Sequence, residues 1–343
     1  MSLSRRTFLS GVGALVVGGA GYELSRLLPG SAPVANSNLS TVPLTTESVM
    51  PPFITPTEQF FRIDTAFDAI PKIDASAWAL RIHGMVDKEI TLTMADIAAM
   101  PQVEHVITLG CVSNSVGDDL IGTAKWGGVL LADVLRLSGV HEDAQQLVSR
   151  SQDGWTCGSP VNAVMDGRPA MLVTSMNGEP LSAKHGFPVR MVVPGLFGYV
   201  SATKWLTEME LATWDAFDAY WVVNGWAKEG PMLSSSRIDV PRDNSKVKNQ
   251  ALTRVGGFAW APRSGVQTVQ VRVDGGAWQD AVIGQHDTGD AWAEWSFDWA
   301  PTVGQHQLEV QCIDADSNAQ DETVRPIEPS GATGLHSITV QVV

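Results

Sequence analysis

Cysteine is scarce in this chain: Cys111, Cys157 and Cys312 are the only three in 343 residues. An odd number rules out a complete disulfide framework and leaves at least one thiol spare. No C-x-x-C-H haem attachment, no iron–sulfur cysteine set and no G-x-G-x-x-G after a strand occurs, so those redox cofactors have no binding signature here. Basic residues are also few, with 23 Lys and Arg against 37 Asp and Glu and a formal net charge of −14. Such a field repels phosphate backbones and anionic lipid surfaces, which excludes nucleic acid as a natural partner.

What is present describes a packed globular protein: 44% hydrophobic residues, 17% charged residues and twelve Trp. The length allows two domains, each with a sizeable core. The chain opens "MSLSRRTFLSGVGALVVGGAGY", with Arg5 and Arg6 paired ahead of a glycine-rich apolar run from Phe8 to about Tyr22. This pattern is a targeting segment rather than fold. It resembles a twin-arginine export signal, the route that carries folded, cofactor-loaded proteins, with an ordinary secretory signal as the alternative. Export places the protein in the periplasm or another extracytoplasmic space. The apolar run is marginal for a permanent membrane tether, which needs ~20 apolar residues.

Four segments follow from texture. Residues 1–35 form the signal and the start of a tether, and the Pro-, Ser- and Thr-rich residues 36–57 read as an extended linker that does not pack. Residues 58–237 alternate short β-like runs ("WALRIHG", "EHVITLG", "RMVVPG") with helix-like ones. Thr93 is a candidate N-cap for "TMADIAAM", and "LLADVLRLSGV" is amphipathic and closes on Gly139. This mixture predicts an α+β domain. In residues 238–343, "VQTVQVRVDGGAWQDAVI", "AEWSFDW", "HQLEVQCI" and "HSITVQVV" alternate with period two between turns, which predicts an all-β immunoglobulin-like sandwich. Cys312 continues the apolar side of Leu308 and Val310 and reads as a buried small hydrophobe.

Cys111 sits in "TLGCVSN" on a strand-to-loop exit. That position suits a soft metal ligand, which must be deprotonated, rigidly held and beside an open coordination site. A disulfide with Cys157 is the alternative. Together with "FFRID" (60–64), "GTAKWGGVLLADVL" (122–135), "MNGEPLSAKHGFPVRMVVPGLFGYVSATKWL" (176–206) and "GFAWAPRSGVQTVQVRVDGGAWQ" (257–279), this stretch resembles the sulfite oxidase family. The likeness covers nearly the whole chain after the tether and is most specific over 176–206. Its members carry molybdenum on one molybdopterin and one protein thiolate. The resemblance implies Cys111 as the molybdenum ligand, and His185, Arg190 and Lys204 as cofactor contacts, with Arg62, Asp153, Ser201 and Thr203 added. Arginine suits the pterin phosphate because its planar fork binds two oxygens at once. Tyr220 matches an active-site tyrosine, Arg62 is shared between cofactor and catalysis, and Arg263 matches a second substrate arginine. Residues 238–343 match the family's dimerisation domain, implying a homodimer.

The implied activity is oxygen-atom transfer coupled to two-electron chemistry, oxidising sulfite or a related sulfur compound. With one redox centre, electrons pass to an external carrier such as a cytochrome or a membrane electron-transfer subunit. A sulfoxide or N-oxide reductase of the same fold is the alternative, and a non-catalytic exported binding module a second. The chain departs from the family pattern after Asn114, where Ser115 and Val116 stand in place of a sulfite-binding arginine and Asp118 and Asp119 add negative charge.

Overall fold

A computed structural model describes residues 50–65, 70–284 and 288–343. The signal segment, and residues 36–49 of the expected linker, lie outside the described residues. Among the described residues no helix is long and apolar enough to cross a membrane.

Strands dominate. Among the described residues the α-helices are Met94–Ala99, Leu131–Arg136, Val161–Met165 and Tyr220–Val223, none longer than six residues. The α+β expectation therefore overstated the helical share of residues 58–237: Leu131–Arg136 and Val161–Met165 each bury one stripe, Met94–Ala99 buries only Ile97, and Tyr220–Val223 buries no residue. Met94–Ala99 begins at Thr93, whose hydroxyl accepts from the Asp96 amide while the Asp96 carboxylate accepts from the Thr93 amide, a reciprocal cap that satisfies two of the free donors at the helix start. Leu131–Arg136 ends ahead of Gly139, which has φ +67°.

Two sheets organise the first part. One runs Ile90–Thr93, Ala79–Gly84, Leu206–Ala212, Gln146–Ser151, Thr156–Pro160, and only its Ala79–Gly84 to Leu206–Ala212 pairing is parallel. The other runs Val103–Gly110, Ile121–Leu130, Met171–Met176, with Glu179–Pro180 and Arg190–Val192 both paired to Met171–Met176.

The second part is two sheets facing each other. One contains Ser235–Val240, Thr253–Trp260, Ala293–Trp299 and Val282–Ile283; the other contains Ser245–Val247, His336–Val342, Gly304–Asp314, Val266–Val273 and Gln279–Asp280. Val255 and Trp295 from the first sheet meet Val269, Val271, Leu308, Val310 and Cys312 from the second in one apolar core. The Val266–Val273 strand turns on Asp274 (φ 52°) and Gly275 (φ 67°), with the Gly276 amide bonded to the Val273 carbonyl at 2.9 Å. Two successive left-handed residues make this a type I′ turn, which an Asp-Gly pair favours.

The two parts share a core rather than a linker. Phe258, Trp260, Trp292 and Ile327 belong to the same apolar cluster as Leu80, Leu131 and Leu172. Residues 50–57, expected to run free, also pack: Phe53 is buried, Trp292 Nε1 donates to its carbonyl at 2.9 Å, and the Thr55 amide bonds to Thr123 O at 2.8 Å. Phe53 and Phe60 bury apolar side chains that the polar texture around them concealed.

Candidate active site

The Val103–Gly110 strand buries its last four residues and pairs in register with Ile121–Leu130, closing at Gly110 opposite Ile121. Residues 111–120 form the connecting loop. The Cys111 amide bonds to Leu120 O at 2.9 Å, and the Asn114 amide returns to Cys111 O at 3.1 Å, so a rigid ladder holds Cys111 at its exit. Its sulfur accepts from the Ser113 amide at 3.4 Å. Burial pushes the thiol pKa up while the Ser113 hydrogen bonds pull it down. A thiolate there calls for a positive partner, which a metal ion supplies. All three cysteines are free; Cys157, fully buried beside Ser159, makes no disulfide with Cys111.

Cys111 opens into a cleft of about 1460 Å³, counting its solvent-open mouth, which Arg62, Asp153, His185, Arg190, Lys204 and Tyr220 also line. Arg190 leaves the Arg190–Val192 strand and is buried, its guanidinium 4.9 Å over the Trp126 ring and its Nη1 donating to His185 O at 3.2 Å. No carboxylate among the described residues pairs with it, and its Nε is buried without a partner. Desolvation lowers its pKa to about 9. His185 Nε2 lies 3.0 Å from Thr57 O. Burial first, then Arg190, depress the His185 pKa to about 4, so the ring is neutral at pH 7 and donates to that carbonyl.

Lys204 and Arg62 share Asp64: Lys204 Nζ and Arg62 Nε each lie 2.6 Å from Asp64 Oδ2, with Arg62 Nη2 3.1 Å from Oδ1. Burial opposes ionisation of Asp64, but the two cations win and hold its pKa below the usual carboxylate range. Asp153 accepts from the Trp155 amide at 3.2 Å and from Thr65 at 3.3 Å. The Tyr220 amide, at the start of a short helix, donates to Thr156 Oγ1 at 2.9 Å.

Three expected site residues fall outside the cleft lining. The Ser201 hydroxyl is turned inward to the carbonyls of Leu196 (3.1 Å) and Phe197 (3.0 Å), and Thr203 Oγ1 lies 2.6 Å from Ser149 Oγ. Both are fully buried supports behind the cleft. Arg263 sits elsewhere, with φ 74°, Nη1 2.8 Å from Asp290 and its stem against Gly195. Its partner here is a carboxylate of its own domain, and it lies outside the lining of the Cys111 cleft.

Other lining residues carried no role in the sequence pattern. Asp64 lay within "FFRID" and could have been recognised by its spacing from Arg62. Tyr199, Trp226 and Trp221 join the expected Tyr220 in a chain of ring contacts at 6.1, 6.3 and 5.1 Å. Glu328 reaches the cleft from the C-terminal part, and nothing local marks it. Away from the cleft His83, Glu208 and Glu210 converge, and Arg150 bridges the two carboxylates, 3.0 Å from Glu208 and 2.5 Å from Glu210.

A buried guanidinium lacking a counter-ion, a buried Ser151 hydroxyl without a partner and the Cys111 thiol, all lining one cleft, suit an anionic, polar cofactor with a soft-metal centre. Comparison with known proteins agrees. Residues 67–221 match the family model for an oxidoreductase molybdopterin-binding domain. The sulfite oxidase of Gallus gallus is 30% identical over 326 residues, covering 80% of this chain and 70% of that protein. The chain belongs to the sulfite oxidase family of molybdopterin oxidoreductases. Family membership implies a molybdenum–molybdopterin cofactor, which the cleft residues fit. The mitochondrial sulfite oxidase of Homo sapiens is 27% identical over 324 residues, covering 80% of this chain but 58% of its own length. The chain thus spans little more than half of that relative. The crystal structure of the sulfane dehydrogenase SoxCD from Paracoccus pantotrophus superposes with a TM-score of 0.69 at 22% identity, over 81% of this chain and 80% of that one, a likeness of fold.

Proposed function

We propose that this chain is an exported enzyme that moves an oxygen atom to or from a sulfur compound in a two-electron step and passes electrons through a separate carrier, such as a cytochrome. Arg190 carries this reading: a cation buried without a carboxylate, in the cleft that holds Cys111. Leaving a buried charge unpaired costs several kcal/mol unless a ligand anion completes it. In this reading Arg190, Lys204, His185, Arg62 and Asp153 hold the pterin and its phosphate, and Cys111 is the protein ligand to molybdenum. When bound, the molybdenum–pterin group supplies two-electron oxygen-atom exchange.

The chain's own residues prepare that site. Asp64 bridges Lys204 and Arg62, which keeps two neighbouring cations from repelling each other. Neutral His185 fixes Thr57 by donating Nε2–H, and Tyr220 offers a hydroxyl to a substrate oxygen. The sandwich, read as immunoglobulin-like, serves as the dimerisation surface of a homodimer; its solution mass checks that.

The test is metal and pterin analysis of protein expressed with its leader in a host that makes the cofactor, followed by turnover assays with an artificial acceptor and with a reduced viologen. Stoichiometric molybdenum and pterin with turnover in either direction supports the proposal. Protein that takes up neither would leave a non-catalytic exported module.

A further inference from the structure

Residues 60–65 make one continuous wall of the cleft, and they belong to a strap, residues 50–65, that joins no sheet. The strap is tied down before it reaches the cleft. The Thr55 amide bonds to Thr123 O at 2.8 Å, and the Thr123 amide to Thr55 Oγ1 at 3.2 Å. Phe60 fills the space that Gly122 leaves, where a Cβ would lie 3.0 Å from its ring. Phe60 also meets Trp126 and His185 edge-on, at 5.6 and 6.0 Å, and further along Asp64 holds Arg62 and Lys204.

Asn177 stands beside this strap. Asn177 and Gly178, with φ 54° and 84°, close the turn between Met171–Met176 and Glu179–Pro180, a place that suits an Asn-Gly pair for the backbone alone. The turn does not need the amide group of Asn177, yet that group is engaged at both ends. Its Oδ1 accepts from the Lys125 amide at 3.0 Å, while Nδ2 donates to Thr55 O at 3.0 Å and to Thr57 Oγ1 at 3.1 Å. Thr57 O in turn accepts from His185 Nε2 at 3.0 Å. One side chain thus joins the hairpin to the strap, and through Thr57 to a cofactor contact.

We propose that Asn177 is a positioning residue: its side chain latches residues 50–65 over the cleft, and the latch sets how long the cofactor stays bound. This rests on the molybdopterin reading above. Ser151 and Arg190 reach the cleft from strands held in sheets. The strap is the wall that opens without breaking a sheet, so cofactor release passes through it.

Asn177→Gly keeps the left-handed turn and removes the latch. Asn177→Asp keeps the turn and the Lys125 bond but sets a carboxylate against Thr55 O. Both are compared with the natural chain as cofactor-loaded protein, by pterin release into ultrafiltrate and by amide hydrogen exchange, with molybdenum and pterin measured on the same samples. Each variant should release pterin roughly tenfold faster or more, the size expected when partly buried hydrogen bonds are lost. Exchange should quicken in residues 50–65 and stay unchanged in Met171–Met176. Thr57→Val should speed release in the natural chain and add little to Asn177→Gly, because the two share one bond. A glycine variant that holds pterin as the natural chain does makes Asn177 a turn residue only and overturns the inference. Faster release accompanied by faster exchange in Met171–Met176 places the effect in the hairpin and overturns it too. A natural chain that carries no molybdenum or pterin overturns the family reading, and the inference with it.

Discussion

Arg190 trades stability for binding. Its guanidinium is buried, stacked on Trp126 and without a carboxylate among the described residues, so the cofactor-free protein bears its desolvation cost. Arg190→Met should therefore raise the stability of the cofactor-free form by about 1–4 kcal/mol while cutting cofactor retention at least tenfold. Urea unfolding and pterin content together check this, since a purely structural arginine would lower both. His185 predicts a pH dependence. Its pKa falls from 6.5 to about 4 on folding, so the unfolded chain binds a proton that the folded one rejects. The stability it contributes is complete above pH 6.5 and is lost as pH falls toward 4, on the order of 3 kcal/mol. In His185→Gln the acid limb of the stability–pH curve should flatten over that window. At this scale "HGFPVR" and "TLGCVSN" were legible because each motif is continuous in the chain. Arg263 was not: its pairing with Asp290 depends on a turn 27 residues away.

The loop carrying Cys111 is braced by strands of the second part. Arg237, on Ser235–Val240, donates from Nη1 to Asp118 O at 2.9 Å, and the His336 ring, at the start of His336–Val342, lies against Gly117. Gly117 has φ +86°, and a Cβ there would collide with the imidazole. Gly117→Ala should cost about 1–3 kcal/mol and lower molybdenum content more than a distant variant of equal stability, measured by thermal unfolding and metal analysis. Period-two texture disclosed the strands of both parts. Nothing local in "SRIDV" or "GLHSI" disclosed that they brace a loop more than a hundred residues earlier, because that contact exists only once the parts share a core.

Trp292 ties the molecule together. It stacks on Phe258 at 4.0 Å, its amide bonds to Thr108 Oγ1 at 2.7 Å, and its indole donates to Phe53 O. Residues 53, 108 and 258 thus meet at one buried ring, and calorimetry should show a single unfolding transition for both parts. Trp292→Ala should lower stability by about 3–5 kcal/mol or split that transition in two. The most direct test of the central claim is molybdenum X-ray absorption on the loaded natural chain and on Cys111→Ser. If Cys111 holds the metal, the variant retains molybdenum, through the pterin contacts, with one sulfur fewer in its coordination shell. An unchanged sulfur count with molybdenum still bound would contradict the ligand assignment and the cleft built around it.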